Sequence, residues 1–232
     1  MAKYNKQFWI DKLRRGWALS LKDILKSDYS SKLMDFLIAQ YSLSKVNPEK
    51  LDMVFEPFRT CKWEDVKIVI VTAEPHAFVG SSGYGYGEPY TTGFHSNRLL
   101  GFYEAIERAY YTPNQEFNFD FDFSLKSWAE QGILLLNLSL SLRNDEPGSH
   151  QKPWNKFSSE VLNQLNENKS GIVFFLIGER PRKLKNFIKD YHYVLEEECP
   201  GVLKQKKLDF PEKHFLEIDK IMINLYNEKI KW

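Results

Sequence analysis

Short uninterrupted apolar runs alternate along this chain with stretches whose apolar residues recur every three or four positions. Val66 to Val71, Ile133 to Leu136 and Ile172 to Ile177 are runs of the first kind, and they read as strands covered on both faces. Asn97 is placed to cap a helix in which Leu99, Tyr103, Ile106 and Tyr110 keep helical spacing. Trp154, Phe157, Val161 and Leu165 mark a second helix, and Phe215, Ile218, Met222 and Leu225 a terminal one. Phe117, Phe119, Phe121 and Phe123 alternate with polar residues, which predicts an edge strand or extended segment. Strand-like runs separated by amphipathic helices predict an α/β fold with a parallel sheet, in a single domain over residues 1–232.

One stretch breaks the pattern. Residues Gly80 to Gly93 hold five glycines interleaved with Tyr84, Tyr86 and Tyr90, and so predict a loop. It reads equally well as a flexible connector or as aromatics at the mouth of a site, where they would stack on bases.

Composition narrows the possibilities. A chain of 232 residues, 43% of them hydrophobic, can bury a full core. Its formal charge is only +1, from 32 basic and 31 acidic residues, so any polyanion footprint must be local. The candidate is the late run Arg180, Arg182, Lys183, Lys185, Lys204, Lys206 and Lys207, offset mainly by Glu196, Glu197 and Glu198; taken alone it reads as a solvated face. No apolar run is long enough for a bilayer span and no stretch resembles a signal peptide, so a cytoplasmic protein with no membrane partner is expected. Cys61 and Cys199 are too few for a disulfide scaffold, a four-cysteine zinc site or an iron–sulfur cluster. The expectation is reduced thiols, no metal and no cofactor, and a monomer.

In parallel sheets of this kind, ligands sit beyond the carboxyl ends of the strands. The residues there are Thr72, Ala73, Glu74, Pro75 and His76 after the first run, Asn137 after the second, Gly178 and Glu179 after the third, and Cys199 and Pro200 after Val194 and Leu195. Periodicity alone predicts a small-molecule or nucleotide site at that edge.

These residues resemble the uracil-DNA glycosylase family, and the likeness runs over most of the chain. Residues Trp128 to Asn137, WAEQGILLLN, resemble the family's WAxQGVLLLN almost letter for letter. Residues Phe55 to Lys67 resemble the approach to the family's water-activating motif. Ser149-His150 with Trp154 and Phe157 resemble its SH and WExF elements, Gly171 to Gly178 its GLVFLLWG, and His214-Phe215 with Ile230 to Trp232 its HF and IxW. The resemblance implies a central four-stranded parallel sheet with helices on both sides. It implies a DNA partner from which the target nucleotide is extruded, and cleavage of the base–sugar bond without a metal.

The departures bear on substrate. Where the family reads GQDPYH, this chain reads Thr72-Ala73-Glu74-Pro75-His76-Ala77, so the resemblance matches the catalytic Asp with Glu74. The carboxylate survives with one extra methylene, and its implied task is to orient water and to stabilise the cationic sugar of the transition state. The family's Tyr, which walls off C5 of uracil, is met by His76, and the next His by Ala77. This predicts room for a substituent at C5. Asn137 stands for the base-reading Asn, whose amide can meet a uracil or a cytosine edge according to its rotation. The stacking Phe of GLxFS falls on His95 or Phe94. Against HPSPLS the chain reads Cys199-Pro200-Gly201-Val202-Leu203-Lys204, so the His that stabilises the leaving base is replaced by Cys199, while Leu203 keeps the wedge position. Ser149, His150, Cys199, Pro200 and Lys204 are the implied DNA-side contacts.

Three readings stay open at this stage. The first is a glycosylase for a C5-modified pyrimidine such as hydroxymethyl- or glucosyl-hydroxymethylcytosine, a specificity suited to defence against viruses with modified DNA. The second is uracil excision in base-excision repair. The third is a catalytically silent homologue that binds DNA or protein.

Overall fold

The computed structural model describes residues 11–89, 94–110 and 120–232. Helices α1 (Arg15–Ser20), α2 (Lys22–Lys26) and α3 (Asp28–Leu43) lead into a short strand β1 (Val46–Asn47), a 3₁₀ turn (Leu51–Phe55) and α4 (Glu56–Thr60). Then come β2 (Ile68–Thr72), α5 (Asn97–Tyr110), α6 (Lys126–Glu130), β3 (Ile133–Asn137), β4 (Leu142–Arg143) and α7 (Gln151–Asn168). The chain closes with β5 (Val173–Ile177), α8 (Glu179–Arg182), β6 (Tyr193–Glu197), α9 (Pro200–Gln205) and α10 (Lys213–Tyr226).

The central sheet has four parallel strands in the order β3-β2-β5-β6, as expected, with β1 and β4 forming a separate antiparallel pair. Strands β2, β3 and β5 are buried at every position, which is why their sequences are apolar without interruption. The two-residue period of a strand then sorts each run into two cores. Val69, Val71, Leu134, Leu136, Phe174 and Leu176 face Trp17, Leu37, Trp154 and Phe157. Ile68, Ile70, Leu135, Val173, Phe175 and Ile177 face Leu99, Phe102, Trp128 and Phe215 on the other side. Each such side chain, taken wholly out of water, contributes roughly 1.5–3 kcal/mol before entropy is counted.

Two expectations need correction. The first strand starts at Ile68 rather than Val66, because Val66 still belongs to a turn closed by the Trp63 carbonyl. Phe121 and Phe123 are not in a strand: their rings meet edge to face at 5.0 Å, and the chain turns at once through the Asp122 carboxylate, which accepts from the Ser124 and Ser127 amides. Phe117 and Phe119 lie outside the described residues. Among the described residues, no helix is long and apolar enough to cross a membrane.

The strand order places the site. From β2 the chain crosses first to one side, into β3, and later to the other, into β5, so the connections diverge at the carboxyl edge between β2 and β5, the position where open α/β sheets bind ligands.

Candidate active site

Parallel register sets Thr72 beside Asn137 at the ends of β2 and β3. The Thr72 hydroxyl donates to Asn137 Oδ1 at 2.6 Å, and Asn137 Nδ2 donates to the carbonyl of Gly85 at 3.1 Å. A carbonyl can only accept, so the Gly85 contact fixes which end of the amide is nitrogen. An amide has two donor and two acceptor positions, and one of each remains after these bonds. Asn137 is only 2% exposed, so the rotation that sequence left open is settled by its surroundings.

The glycine-rich segment supplies that Gly85 carbonyl, and between Ser81 and Glu88 it is buried at every position but Ser82. The Gly85 amide donates to the Leu135 carbonyl of β3, and Tyr84 and Tyr86 pack into the core. Gly83 holds φ +95°, with the Met53 carbonyl oxygen 2.3 Å from where a Cβ would stand; at Gly87 the Ser124 carbonyl oxygen lies equally close. Asn47 anchors the approach, donating to the His76 and Val79 carbonyls and accepting from the Ser81 amide. Glu88, 1% exposed, accepts from the Ser96 amide with both oxygens and meets His95 Nδ1 at 3.2 Å. The segment is therefore packed structure and not a flexible connector.

Glu74 stands at the crossover edge, half-buried. Its carboxylate accepts from the Gly148 amide, at 3.2 and 3.0 Å to the two oxygens. The Glu74 charge also raises the pKa of Arg180, against a larger lowering by burial, so Arg180 lies within the field of the carboxylate. Nearby, the fully buried Ser139 hydroxyl has no hydrogen-bond partner among the described residues, although its amide donates to the Ala73 carbonyl.

His76 turns its Nδ1 back onto its own loop, accepting from the Phe78 and Val79 amides at 3.1 Å each. Burial, seconded by the charge of Arg98, lowers its pKa to about 4, so the ring is neutral near neutral pH. His76, Arg98, Cys199, Gly201 and Val202 share a cavity of about 210 Å³. Ala77 is buried, its carbonyl accepting from the Asp145 amide.

Several expected contacts fall elsewhere. Phe94 is 70% exposed, and His95 stacks on Phe123 at 3.8 Å while it meets Glu88, so neither ring lies beside Asn137. Tyr86 follows Gly85, whose carbonyl Asn137 meets, and its ring packs 5.6 Å from that of Phe102. It sits in Gly83-Tyr84-Gly85-Tyr86-Gly87, the glycine-interleaved aromatic run that the sequence reads as the lining of a site mouth or as a connector. Leu203, expected as the wedge, is 6% exposed and packs in the core, while Val202 on the same turn of α9 is 40% exposed. His150 is a core residue and not a phosphate contact. It is wholly buried, with Nδ1 at 2.9 Å from the Ser141 hydroxyl and Nε2 at 3.3 Å from Gln40 Oε1. Ser149 Oγ accepts from the Arg143 amide. Pro200 is buried against Gly101, Cys199 is half-buried, and Lys204 reaches Glu104.

The basic run is largely neutralised from within the chain: Lys183 pairs with Glu179, Lys185 with Glu196, Lys206 with Glu198, and Arg182 with Glu198. Both cysteines are free. Among the described residues, no group of three or more His, Cys, Asp or Glu side chains is placed to hold a metal ion. Arg98 was absent from the sequence-based candidates, while Thr72 stood there only as a strand-end residue and Gly85 and Tyr86 only within the glycine-rich segment.

No protein-family model matches the chain. Curated relatives do: it is 30% identical over 225 residues to the uracil-DNA glycosylase of Bacillus cereus strain AH187, covering 95% of this chain and 96% of that one. It is 29% identical over 230 residues to the uracil-DNA glycosylase of Fusobacterium nucleatum, covering 96% and 97%. Among solved structures, the mimivirus uracil-DNA glycosylase superposes with a TM-score of 0.82 at 18% identity, over 99% of this chain and 90% of that one. The UNG of Nitratifractor salsuginis gives 0.60 at 16% identity, over 94% and 92%. At these identities the structural likenesses speak for the fold.

Proposed function

Because the chain belongs to the uracil-DNA glycosylase family, we propose that it excises uracil from DNA, hydrolysing the N-glycosidic bond of an extruded nucleotide held at the β2–β5 edge. The observation that carries this reading is the pairing of a held carboxylate, Glu74 on the Gly148 amide, with a base-edge amide whose orientation is fixed. In this reading the remaining acceptor position of Asn137 takes the N3–H of uracil and its remaining donor meets O4. Cytosine presents the opposite pattern, and an amide that cannot turn over rejects it. Tyr86 offers an aromatic face beside the base; burial keeps its phenol well above the ordinary range, hence uncharged.

Glu74 orients the attacking water and stabilises positive charge at C1′ as the bond to the base lengthens. The Gly148 N–H restrains the longer Glu side chain, which answers the cost of the added methylene. The water oxygen bonds to C1′, the C1′–N1 electron pair leaves with the base, and Glu74 takes up the proton of the water.

The test is release of base from oligonucleotides bearing uracil opposite guanine, opposite adenine and in single strands, read as alkali-labile breaks. Uracil release is expected, with Glu74→Gln slower by about 10²–10³-fold. Binding without release of any base would leave the chain a silent homologue.

A second reading keeps one observation in its favour. His76 stands where the family resemblance puts a Tyr, and its ring, drawn aside by its own loop, borders open volume. This supports acceptance of a C5-substituted pyrimidine, and a defence role would follow from that specificity alone. Strand breaks with hydroxymethylcytosine or its glucosylated form, exceeding those with uracil, would move the assignment to this reading.

A further inference from the structure

The HPSPLS resemblance leaves the departing base without its usual partner, since position 199 is a cysteine, whose thiol is a weak donor. His76 does not replace it: its ring is neutral, and its Nδ1 is spent on two backbone amides. Arg180 lies toward Glu74 and reaches Asn155. One cation remains at this edge. Arg98, on the first turn of α5 (Asn97–Tyr110), is half-buried beside Cys199 and His76.

We propose that Arg98 supplies the positive charge that receives the departing base, in place of the missing histidine. Its guanidinium is anchored by Nη1, which donates to the carbonyls of Glu74 at 3.3 Å and Pro75 at 3.5 Å, both long bonds. These carbonyls belong to Glu74 itself and to the next residue, so the cation is tied to the loop that carries the acid. Among the described residues, Nε and Nη2 make no hydrogen bond and no carboxylate pairs with Arg98. The guanidinium carbon lies 5.7 Å from the centre of the Tyr86 ring. The charge therefore stands where a pyrimidine beside Tyr86 would present its edge, with donors to spare.

The chemistry balances without proton transfer from Arg98. As C1′–N1 breaks, its electron pair delocalises over N1 and the adjoining carbonyl oxygen. A guanidinium stays protonated throughout, so it stabilises that anion as a charge and hydrogen-bond donor, and the base takes its proton from water after release. Arg98 is thus a base-contacting residue whose contribution grows as the base becomes anionic.

The inference rests on the uracil-excision reading, and single-turnover rates separate the two. Wild-type protein and Arg98→Gln are compared on duplexes bearing uracil or 5-fluorouracil at the same position; fluorine makes the leaving base more acidic and less dependent on stabilisation. The expected result is a loss of about 10²-fold or more on uracil, a distinctly smaller loss on 5-fluorouracil, and an intermediate rate for Arg98→Lys. Equal losses on both substrates would show a packing or positioning role and overturn the proposal, as would an undiminished rate on uracil. Thermal melting and binding of DNA with an uncleavable abasic analogue, expected unchanged, confirm that the variants fold. Wild-type protein inert on both substrates would instead defeat the excision reading itself.

Discussion

The two halves of the carboxyl edge are built on opposite plans. On the β2–β3 side the polar groups are locked into each other, with Asn137 held between Thr72 and Gly85 under a segment with almost no exposure. On the β2–β5 side charged groups have few partners: Glu74 on a single backbone amide, Arg98 on two long bonds, and Arg180 on Asn155 within the field of Glu74. A buried polar network that is satisfied is rigid, and an unpaired buried charge is costly. The first half is suited to recognition, which needs fixed geometry. The second is suited to stabilising charges that exist only during reaction, which needs groups left uncommitted.

The contrast is broken most severely at its hinge, Asn137. Asn137→Ala removes the reading amide and is expected to slow uracil release by about 10²-fold or more, whereas Thr72→Val, which frees only one end of the amide, should cost less in rate but relax rejection of cytosine; parallel uracil and cytosine assays measure both. Equal, unchanged selectivity in Thr72→Val would mean that the Gly85 contact alone holds the amide.

Next in size is the locked half's backbone. Gly83→Ala must place a Cβ against the Met53 carbonyl at a left-handed φ, a strain of about 1–3 kcal/mol or more, which chemical denaturation reads directly. The same substitution at Gly148, φ +80° with open space around it, should cost less stability and act mainly on rate through Glu74.

The last effect concerns acid and builds up only as the pH falls. Burial, aided by the Arg143 charge, lowers the pKa of His150 from 6.5 to about 4. Between those values the unfolded chain binds a proton that the folded chain refuses, so stability falls as pH drops through that window, by up to about 1.4 kcal/mol per unit. Neutral His150 accepts from the Ser141 hydroxyl at Nδ1 and donates from Nε2 to Gln40, while the Trp154 indole donates to the same hydroxyl. Denaturation midpoints between pH 7 and 4 should be flatter for His150→Gln; an unchanged slope would place the acid sensitivity elsewhere.

Sequence disclosed the sheet because each strand is covered on both faces and its apolar run is unbroken. It singled out Glu74 and Asn137 because the edge after each strand is short and the flanking motif is specific. It named Tyr86 only as one aromatic of a loop that read equally well as a connector, and it did not name Arg98. The burial of the segment that carries Tyr86 depends on partners far along the chain, Met53 at Gly83, Ser124 at Gly87 and Leu135 at Gly85, that no local pattern contains. Leu203 and His150 misled for a related reason: a motif position states which residue is present, while the rotation of a short helix decides that Val202 and not Leu203 faces outward.

Because the register of β2 against β3 is what sets Thr72 opposite Asn137, the base-edge recognition proposed for Asn137 would be inherited from the core of the sheet. A slip of one residue would reverse the facing of the whole strand, so position 137 has little freedom to evolve by small steps. New specificities on this scaffold have to be sought among loop residues, at His76 and its neighbours, where a change of side chain leaves the hydrophobic interior undisturbed.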